Sequence, residues 1–174
     1  MTARTIEGFP TKPGKIEFYS EWVKSKKDGN GQPVNPLPVY VPRDWQPTKE
    51  YPLFLIHWKE TYHGHTRTMN NPWLMELKGS NPLVINRKTA ERLKIKDGDE
   101  IWVESPNGKD KAKAKVTEGM HPDVVGWQHG FGHWAMGRVA KGKGTHGGQF
   151  LPTKSDALSS QSLNKECCVR VSKA

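Results

Sequence analysis

Three segments of the chain concentrate the side chains that are suited to binding a ligand. They cover residues 58–70, 126–133 and 141–149, and they are rich in glycine, histidine and tryptophan. Glycine lets the backbone approach a ligand closely and leaves N–H groups available for phosphate or carbonyl oxygens. Cationic and imidazole groups add donors for anions, and indole rings offer flat faces for a ring system. We interpret this set as suited to a large, flat, phosphate-bearing ligand. Its members are Trp58, Lys59, His63, His65, Trp127, His129, His133, Trp134 and His146.

Two pairs of histidines in these segments raise the alternative of a metal site. His63 and His65 are separated by one glycine, and His129 precedes His133 by four residues. Imidazoles at such spacings can ligate zinc. Their glycine-rich setting favours ligand-binding loops instead, so we predict no metal ligand. Glycine-rich loops without any ligand are the other alternative.

The chain carries no catalytic signature. The phosphate loop G-x-x-x-x-G-K-[ST] does not occur, and no G-x-G-x-x-G stands between a strand and a helix, where it would indicate dinucleotide binding. Gly130 and Gly132 alone are a weak signal, and no nucleophile elbow is present. We therefore predict no catalytic residue in this chain.

The elements that position these segments are short strands separated by turns. Alternating or continuous apolar runs mark each strand, and residues 87–95 can form two helical turns. Residues 106–108 make a hairpin turn, and Gly98 can take the positive φ of a tight turn. Many short strands and one clear helix predict a closed β-barrel. The predicted strands are 51–57, 81–86, 100–105, 109–116, 124–125 and 167–171.

The predicted strand 109–116 alternates between charged and small residues. Because successive side chains of a strand point to opposite faces, the lysines share one face and the small residues share the other. We assign the small residues to a tight barrel interior and the lysines to solvent, where they also protect an edge from unwanted pairing. Contact of the lysines with nucleic acid is the alternative. The lysines are Lys111, Lys113 and Lys115, and the small residues are Ala112, Ala114 and Val116.

The composition is that of a polar, basic chain. Its 174 residues carry a net charge of +9 and a pI near 9.6, which favours anionic partners such as nucleic acid, phosphorylated cofactors or an acidic subunit. No stretch approaches the roughly 20 apolar residues of a membrane helix, so we predict no membrane insertion, and no signal peptide is visible. The adjacent Cys167 and Cys168 predict a terminal strand with one cysteine facing inward.

The first 50 residues differ from the rest. Prolines and glycines interrupt them repeatedly, and only residues 11–19 have the composition of one short strand. We predict an extended arm or linker over 1–50 that runs over another surface. Residues 51–174 form the predicted barrel domain.

Several of these segments, in order, resemble one known family. Residues 81–86, 93–103, 115–125, 130–133 and 169–171 are similar to the C-terminal dinucleotide-binding domain of the dimethyl-sulfoxide-reductase family of molybdopterin oxidoreductases. Two segments, the glycine–phenylalanine–glycine–histidine segment and the final strand, most resemble the thiosulfate, polysulfide, tetrathionate and arsenate reductase branch.

The resemblance implies a mainly β fold, a double-psi β-barrel with a few short helices and the extended N-terminal arm. It also implies the cofactor, molybdopterin guanine dinucleotide, of which these enzymes hold two copies shared with the rest of the enzyme. Three loops supply the contacts in the family, and Gln149 stands here near the place of a usual asparagine. The implied cofactor-binding residues are Trp58, Lys59, Glu60, Thr61, His65, Thr66, His129, Gly130, Gly132, His133 and Gln149.

The family's iron–sulfur and metal-ligand regions have no counterpart in this chain. The resemblance therefore implies a cofactor-binding domain or separate subunit of a molybdenum or tungsten oxidoreductase, which does not turn over substrate alone. Its implied partner is the remaining catalytic part of that enzyme. Many members of the family are exported by a signal at the start of the full enzyme, so we make no prediction of the compartment.

Two other functions compete with this one. The segment 93–99 is also similar to a turn in small swapped-hairpin transcription factors, and the charge of +9 suits DNA. A basic DNA-binding barrel is therefore the alternative, although those factors are much shorter and leave the three loops unexplained, so nucleic acid is not the expected partner. A plain interaction domain without a ligand is the third interpretation.

Overall fold

The computed structural model describes residues 8–40, 42–43, 45–135, 137–156, 158–162 and 167–174. They form two compact units, the first within residues 1–42 and 155–161 and the second within 43–154 and 162–174. The predicted division between an arm at 1–50 and a domain at 51–174 stays a prediction.

The first unit has little regular structure. Its helix α1 (Glu21–Lys24) makes a single turn, and the Ser20 hydroxyl accepts a hydrogen bond from the Val23 N–H at its start. The short strand predicted within residues 11–19 does not form. Gly14, at φ 65°, closes a turn with Phe9 and Thr11 through backbone hydrogen bonds, which takes this segment out of an extended conformation. None of the described residues of this unit is buried.

The second unit is a closed barrel of six strands in the order β1-β5-β2-β4-β3-β6. β1 runs parallel to β5 and β2 runs parallel to β4, while the other neighbours are antiparallel. Because β6 pairs with both β1 and β3, the barrel has no open edge. The predicted mainly β barrel is confirmed, and all six predicted strands form. The strands are β1 (Leu53–Trp58), β2 (Leu83–Asn86), β3 (Glu100–Ser105), β4 (Gly108–Thr117), β5 (Val124–Gln128) and β6 (Cys168–Lys173).

Two short helices accompany the barrel. The predicted helix after β2 is α3 (Arg87–Arg92), which begins where the Asn86 side chain accepts a hydrogen bond from the Lys88 N–H. The sequence did not indicate the other, α2 (Pro72–Leu77), which lies between β1 and β2. No helix among the described residues is long and apolar enough to cross a membrane.

The barrel interior is filled by one apolar cluster. The predicted alternation along β4 is confirmed, since Ala112 and Ala114 are buried and the lysines that alternate with them are exposed. Burial of this apolar surface is the main stabilising contribution to the fold. The largest members of the cluster that are fully buried are Leu53, Leu55, Leu83, Ile85, Ile101, Val103, Val125, Trp127, Phe150 and Val169.

Both cysteines are buried, whereas the alternation of residues predicted only one facing inward. The Cys167 thiol hydrogen-bonds to the Phe150 carbonyl at 3.0 Å, and burial raises its pKa to about 11. Cys168 pairs with Phe54, whose ring lies 5.9 Å from the Arg43 guanidinium. The chain at residue 43 thus covers a patch of β1 that a bare strand would expose, and burial raises the pKa of Cys168 as well.

Candidate functional site

The three loops singled out in the sequence come together at one end of the barrel. β1 and β5 are parallel and in register, with His57 opposite Trp127 and Trp58 opposite Gln128. Parallel neighbours end at the same rim, so the loop after β1 and the loop after β5 leave the barrel side by side. The third loop, 141–149, ends in a 3-10 turn at Gly147–Phe150.

The first and second loops are joined by a pair of histidines. His65 Nδ1 and His129 Nε2 are 2.6 Å apart, and the two rings stack with centroids at 4.6 Å. His65 has a φ of 57°, a left-handed conformation that is uncommon outside glycine. Gly130 also has a positive φ, and a Cβ there would lie 2.8 Å from Met69 Cε and 3.2 Å from the His65 carbonyl oxygen. Only a glycine allows this close approach of the two loops.

The second and third loops are joined in a similar way. The rings of His133 and His146 have centroids 4.4 Å apart. Gly132 has a φ of 75°, and a Cβ there would collide with the backbone of Thr145 and His146. The buried side chain of Asn81 fixes Thr145 from behind, because its amide nitrogen donates to the Thr145 carbonyl at 2.9 Å and its oxygen accepts from the Thr145 N–H at 2.8 Å.

The three loops enclose a cleft of about 400 Å³, which we call the histidine cleft. No lysine, arginine, aspartate or glutamate is among the described residues that line it. Its charge therefore depends on the protonation of its imidazoles. Burial, and after it the neighbouring His133, lowers the pKa of His146, while the Asp110 carboxylate opposes this shift. The lining residues are His57, His65, Thr66, His129, Gly130, His133, His146, Gly147, Gly148 and Leu151.

Buried polar atoms without partners stand at this cleft. His146 Nδ1 and Trp127 Nε1 have no hydrogen-bond partner among the described residues. Gly147 lines the cleft directly beside the indole, since a Cβ at Gly147 would lie 2.6 Å from Trp127 Nε1. A Cβ at Gly148 would lie 3.0 Å from His146 Nε2. Because an unsatisfied buried polar group is costly, the His146 imidazole that lines the cleft fits a ligand that carries hydrogen-bonding groups.

The structure brings five of the predicted binding residues into the cleft: His65, Thr66, His129, Gly130 and His133. A sixth, Gly132, does not line it but allows the second and third loops to touch.

Five predicted residues lie elsewhere. A Cβ at Gly126 would lie 2.7 Å from Trp58 Cζ3, so the Trp58 ring packs along the barrel wall. Glu60 forms an ion pair with Lys78 at 3.9 Å and accepts a hydrogen bond from the Thr61 N–H. The Gln149 amide donates to Asp110 at 2.8 Å. Lys59 and Thr61 are both exposed, and neither lines the cleft.

Other cleft residues were not among the predicted contacts. His57 stands one residue before the end of β1, and Gly147, Gly148 and Leu151 surround the 3-10 turn of the third loop. The pair Gly147 and Gly148 was the available sequence signal, because adjacent glycines let a chain turn close to a ligand.

His63 and His65, weighed together as a metal half-site, have different partners. The buried His63 contacts the Lys78 carbonyl at 2.9 Å and the Thr68 hydroxyl at 3.2 Å, whereas His65 contacts His129. Across the described part of the chain, no group of three or more histidine, cysteine, aspartate and glutamate side chains is placed to hold a metal ion.

Comparison with known proteins identifies the family. Residues 53–167 match the family described as the Molydopterin dinucleotide binding domain. The molybdopterin-containing subunit of a thiosulfate reductase from Salmonella typhimurium is 36% identical over 152 residues, which cover 87% of this chain and 19% of that subunit. The corresponding subunit of an arsenate respiratory reductase from Shewanella sp. strain ANA-3 is 32% identical over 163 residues, covering 78% and 19%.

A solved structure supports the fold alone. The acetylene hydratase of Pelobacter acetylenicus superposes with a TM-score of 0.76 at 21% identity, covering 97% of this chain and 24% of that one.

The closed barrel presents paired imidazoles and glycines to a cleft at its rim, and the family match shows that it is a cofactor-binding domain. The chain belongs to the Molydopterin dinucleotide binding domain family. The predicted membership of the dimethyl-sulfoxide-reductase family is confirmed, as is molybdopterin guanine dinucleotide as the cofactor of the domain. The DNA-binding alternative is not favoured. The chain spans 19% of the length of the thiosulfate reductase subunit.

Proposed function

We propose that the histidine cleft is the place where this domain holds molybdopterin guanine dinucleotide. The observation that carries the proposal is the convergence of three separate loops on one cleft lined by imidazoles and glycines. A dinucleotide of this kind presents a flat ring system, amide-like edges and phosphate oxygens. Imidazole N–H groups and close backbone approaches complement those groups.

The residues of the cleft divide this work among themselves. His65 and His129 are the pair that offers an imidazole N–H to an acceptor on the ligand, and their mutual hydrogen bond fixes both rings. Gly147 and Gly148 let the third loop pack directly against Trp127 and His146, which brings its backbone to the edge of the cleft. When bound, the group supplies the metal–pterin centre for redox chemistry. The residues of this chain bind it, orient it and exclude water from it.

We also propose that the chain works as part of a larger molybdenum or tungsten oxidoreductase. The relatives named thiosulfate reductase and arsenate respiratory reductase are several times longer than the matched region. The remaining catalytic domains of such an enzyme are the expected partner, and they would supply the metal ligand and the electron-transfer centres. The parent activity we favour is reduction of a sulfur or arsenic oxyanion, the class to which both relatives belong by name.

Equilibrium binding of molybdopterin guanine dinucleotide to variants of the chain tests the assignment of the cleft. We expect His65→Ala to weaken binding about tenfold, as loss of one hydrogen bond to a charged or strongly polar group does. Gly148→Leu fills the cleft from an exposed position and should weaken binding further.

Two matched controls separate the cleft from general effects. His121→Ala removes an exposed imidazole that pairs with Asp123, and Gly119→Leu enlarges an exposed turn glycine. Neither residue lines the histidine cleft. If all four variants bind the dinucleotide as tightly as the unmodified chain, the cleft is not the binding site.

A further inference from the structure

Two asparagines of the sequence, Asn30 and Asn107, are directly followed by glycine. A glycine after an asparagine has no Cβ to hinder its backbone nitrogen, so that nitrogen can approach the carbonyl carbon of the asparagine side chain. The same dipeptide stands in different surroundings in the two places, because Asn30 belongs to the first unit and Asn107 joins β3 to β4 in the barrel. The function proposed above uses neither residue.

Asn30 stands in a small hairpin of the first unit. Lys27 and Pro33 form an isolated antiparallel bridge at the base of this hairpin. The Asp28 carboxylate accepts hydrogen bonds from the N–H groups of Asn30 and Gln32 at 2.9 and 2.8 Å, and both bonds are exposed. A segment that is held by a few exposed hydrogen bonds, with no buried residue around it, opens locally at a low cost in free energy.

The groups that would react at Asn30 are accessible. Asn30 is exposed, and its side-chain amide has no hydrogen-bond partner among the residues that the structure describes. Gly31 is exposed as well, with a φ of 77° and no atom within 4 Å of the position of a Cβ. The Gly31 N–H donates to the Asp28 carbonyl at 3.0 Å, and local opening of the hairpin frees it.

Asn107 is held in place by the barrel. Its amide nitrogen donates to the Phe150 carbonyl at 3.2 Å, and the backbone N–H groups of Asn107 and Gly108 donate to the Ser105 hydroxyl at 3.1 and 3.3 Å. Ser105 and Phe150 are both buried. Gly108 also packs closely against the third loop, since a Cβ there would lie 2.5 Å from the Gln149 carbonyl oxygen. The turn between β3 and β4 must therefore open before the nitrogen of Gly108 can attack.

We propose that Asn30 is a site of spontaneous deamidation in the folded chain, whereas Asn107 is protected from the same reaction. The backbone nitrogen of Gly31 gives up its proton and forms a bond to the side-chain carbonyl carbon of Asn30. The bond from that carbon to the amide nitrogen breaks, and the nitrogen leaves with the proton as ammonia. Water then opens the succinimide ring at either of its carbonyls, which gives aspartate or isoaspartate.

The modification changes the hairpin in which it occurs. Each product places a new negative charge beside the Asp28 carboxylate, which already accepts from the N–H of residue 30. Isoaspartate also adds one carbon to the backbone between residues 30 and 31. The contact from the Gly31 N–H to the Asp28 carbonyl cannot keep its present geometry in the longer backbone, so deamidation loosens this part of the first unit.

Incubation of the 174-residue chain at mildly alkaline pH, followed by mass spectrometry of its peptides, tests the proposal. We expect aspartate and isoaspartate to accumulate at position 30, and reaction at Asn107 to be slower by at least about tenfold because the barrel must first open there. Asn35 is an internal control. It is exposed in the same unit but is followed by Pro36, which has no backbone N–H, so it should stay unmodified.

Two variants assign the acidic product to its residue by ion-exchange chromatography. Asn30→Gln should abolish the acidic species, because the longer side chain would have to close a six-membered ring, which forms far more slowly. The matched variant Asn107→Gln should leave the amount of acidic species unchanged.

The same incubation in guanidinium chloride shows whether the fold causes the difference. In the unfolded chain, we expect Asn30 and Asn107 to react at similar rates. Equal rates at the two positions in the folded chain, or an unmodified Asn30 in the folded chain, would overturn the proposal. Aspartate without isoaspartate would also overturn it, because opening of a succinimide gives both. None of these results depends on the assignment of the histidine cleft.

Discussion

At the scale of the single residue, missing side chains shape the site as much as those that are present. Gly132 and Gly142 share nearly the same positive φ, 75° and 73°. They differ in their surroundings, because a Cβ at Gly132 would collide with the backbone of the third loop, while a Cβ at Gly142 would meet nothing within 4 Å. Substitutions at these two glycines therefore distinguish the cost of a strained backbone from the cost of losing the contact between loops.

We expect Gly132→Ala to lower the free energy of unfolding much more than Gly142→Ala. The left-handed backbone costs about 1–2 kcal/mol in both variants, and crowding adds about 1–3 kcal/mol for Gly132 alone. Urea unfolding of the two variants measures the difference. Equal losses would mean that the second and third loops are not in contact.

His146 gives a prediction on pH. Its pKa in the folded chain is lower than its ordinary value of 6.5, first because of burial and second because of His133. As the pH falls below 6.5, the unfolded chain takes up a proton that the folded chain resists, so this residue makes the free energy of unfolding decrease toward acid pH. The stability that it contributes is present above pH 6.5 and is lost as the pH falls through its folded pKa.

We expect His146→Gln to reduce this acid-side decrease in the free energy of unfolding, and the imidazole resonances of His146 to titrate below pH 6.5. Urea unfolding at several pH values and NMR titration are the two measurements. A midpoint above 6.5 would contradict the buried, paired environment of the ring.

The binding residues predicted from the sequence stay a prediction, but the structure places them in different surroundings. His65, His129 and His133 line the histidine cleft. Trp58 and Gln149 do not line it, because packing decides the direction of a side chain: Trp58 packs beside Gly126, and Gln149 is held by Asp110. Composition and spacing carry no information on such contacts.

At the scale of the element, the parallel pairing of β1 with β5 is what assembles the cleft. The hydrophobic pattern predicted each strand, because alternating apolar residues and short continuous apolar runs are typical of strands. It did not indicate which strands pair, because pairing of distant segments leaves no local signature. The helix α2 was also missed. Its six residues are too few for a helical period, although Asn71 and Pro72 provide a capping residue and a favourable first position.

Asn81 connects three elements and gives the sharpest test at this scale. Its side chain joins the start of β2 to the Gln128 carbonyl at the end of β5 and to both backbone groups of Thr145. Asn81→Ala leaves these buried groups unsatisfied, so we expect a loss of about 3 kcal/mol in the free energy of unfolding.

The control for this variant is Asn71→Ala, which removes the cap of α2 and should cost about 1 kcal/mol. Chemical denaturation gives both values. If Asn81→Ala costs no more than Asn71→Ala, the third loop is not fixed through Asn81.

At the scale of the whole molecule, the chain belongs to a family of dinucleotide-binding domains. Fold, family and cofactor could all be predicted from the sequence because a set of turns and strands in fixed order resembles that domain. The histidine cleft could not, since it is lined by residues that are far apart in the chain and are brought together by barrel closure. The proposed role as part of a larger oxidoreductase has its own test. In the intact enzyme, His65→Ala should lower the bound metal and pterin, while His121→Ala should not.

The central claim is that the histidine cleft holds the dinucleotide, and NMR titration of the labelled chain with molybdopterin guanine dinucleotide tests it most directly. We predict saturable shifts of the backbone amides in the three segments that line the cleft, 64–66, 129–133 and 146–148. Binding should be weak, because other domains would complete the cofactor site in the oxidoreductase that we propose. Saturating additions that leave all three segments unchanged would contradict the assignment.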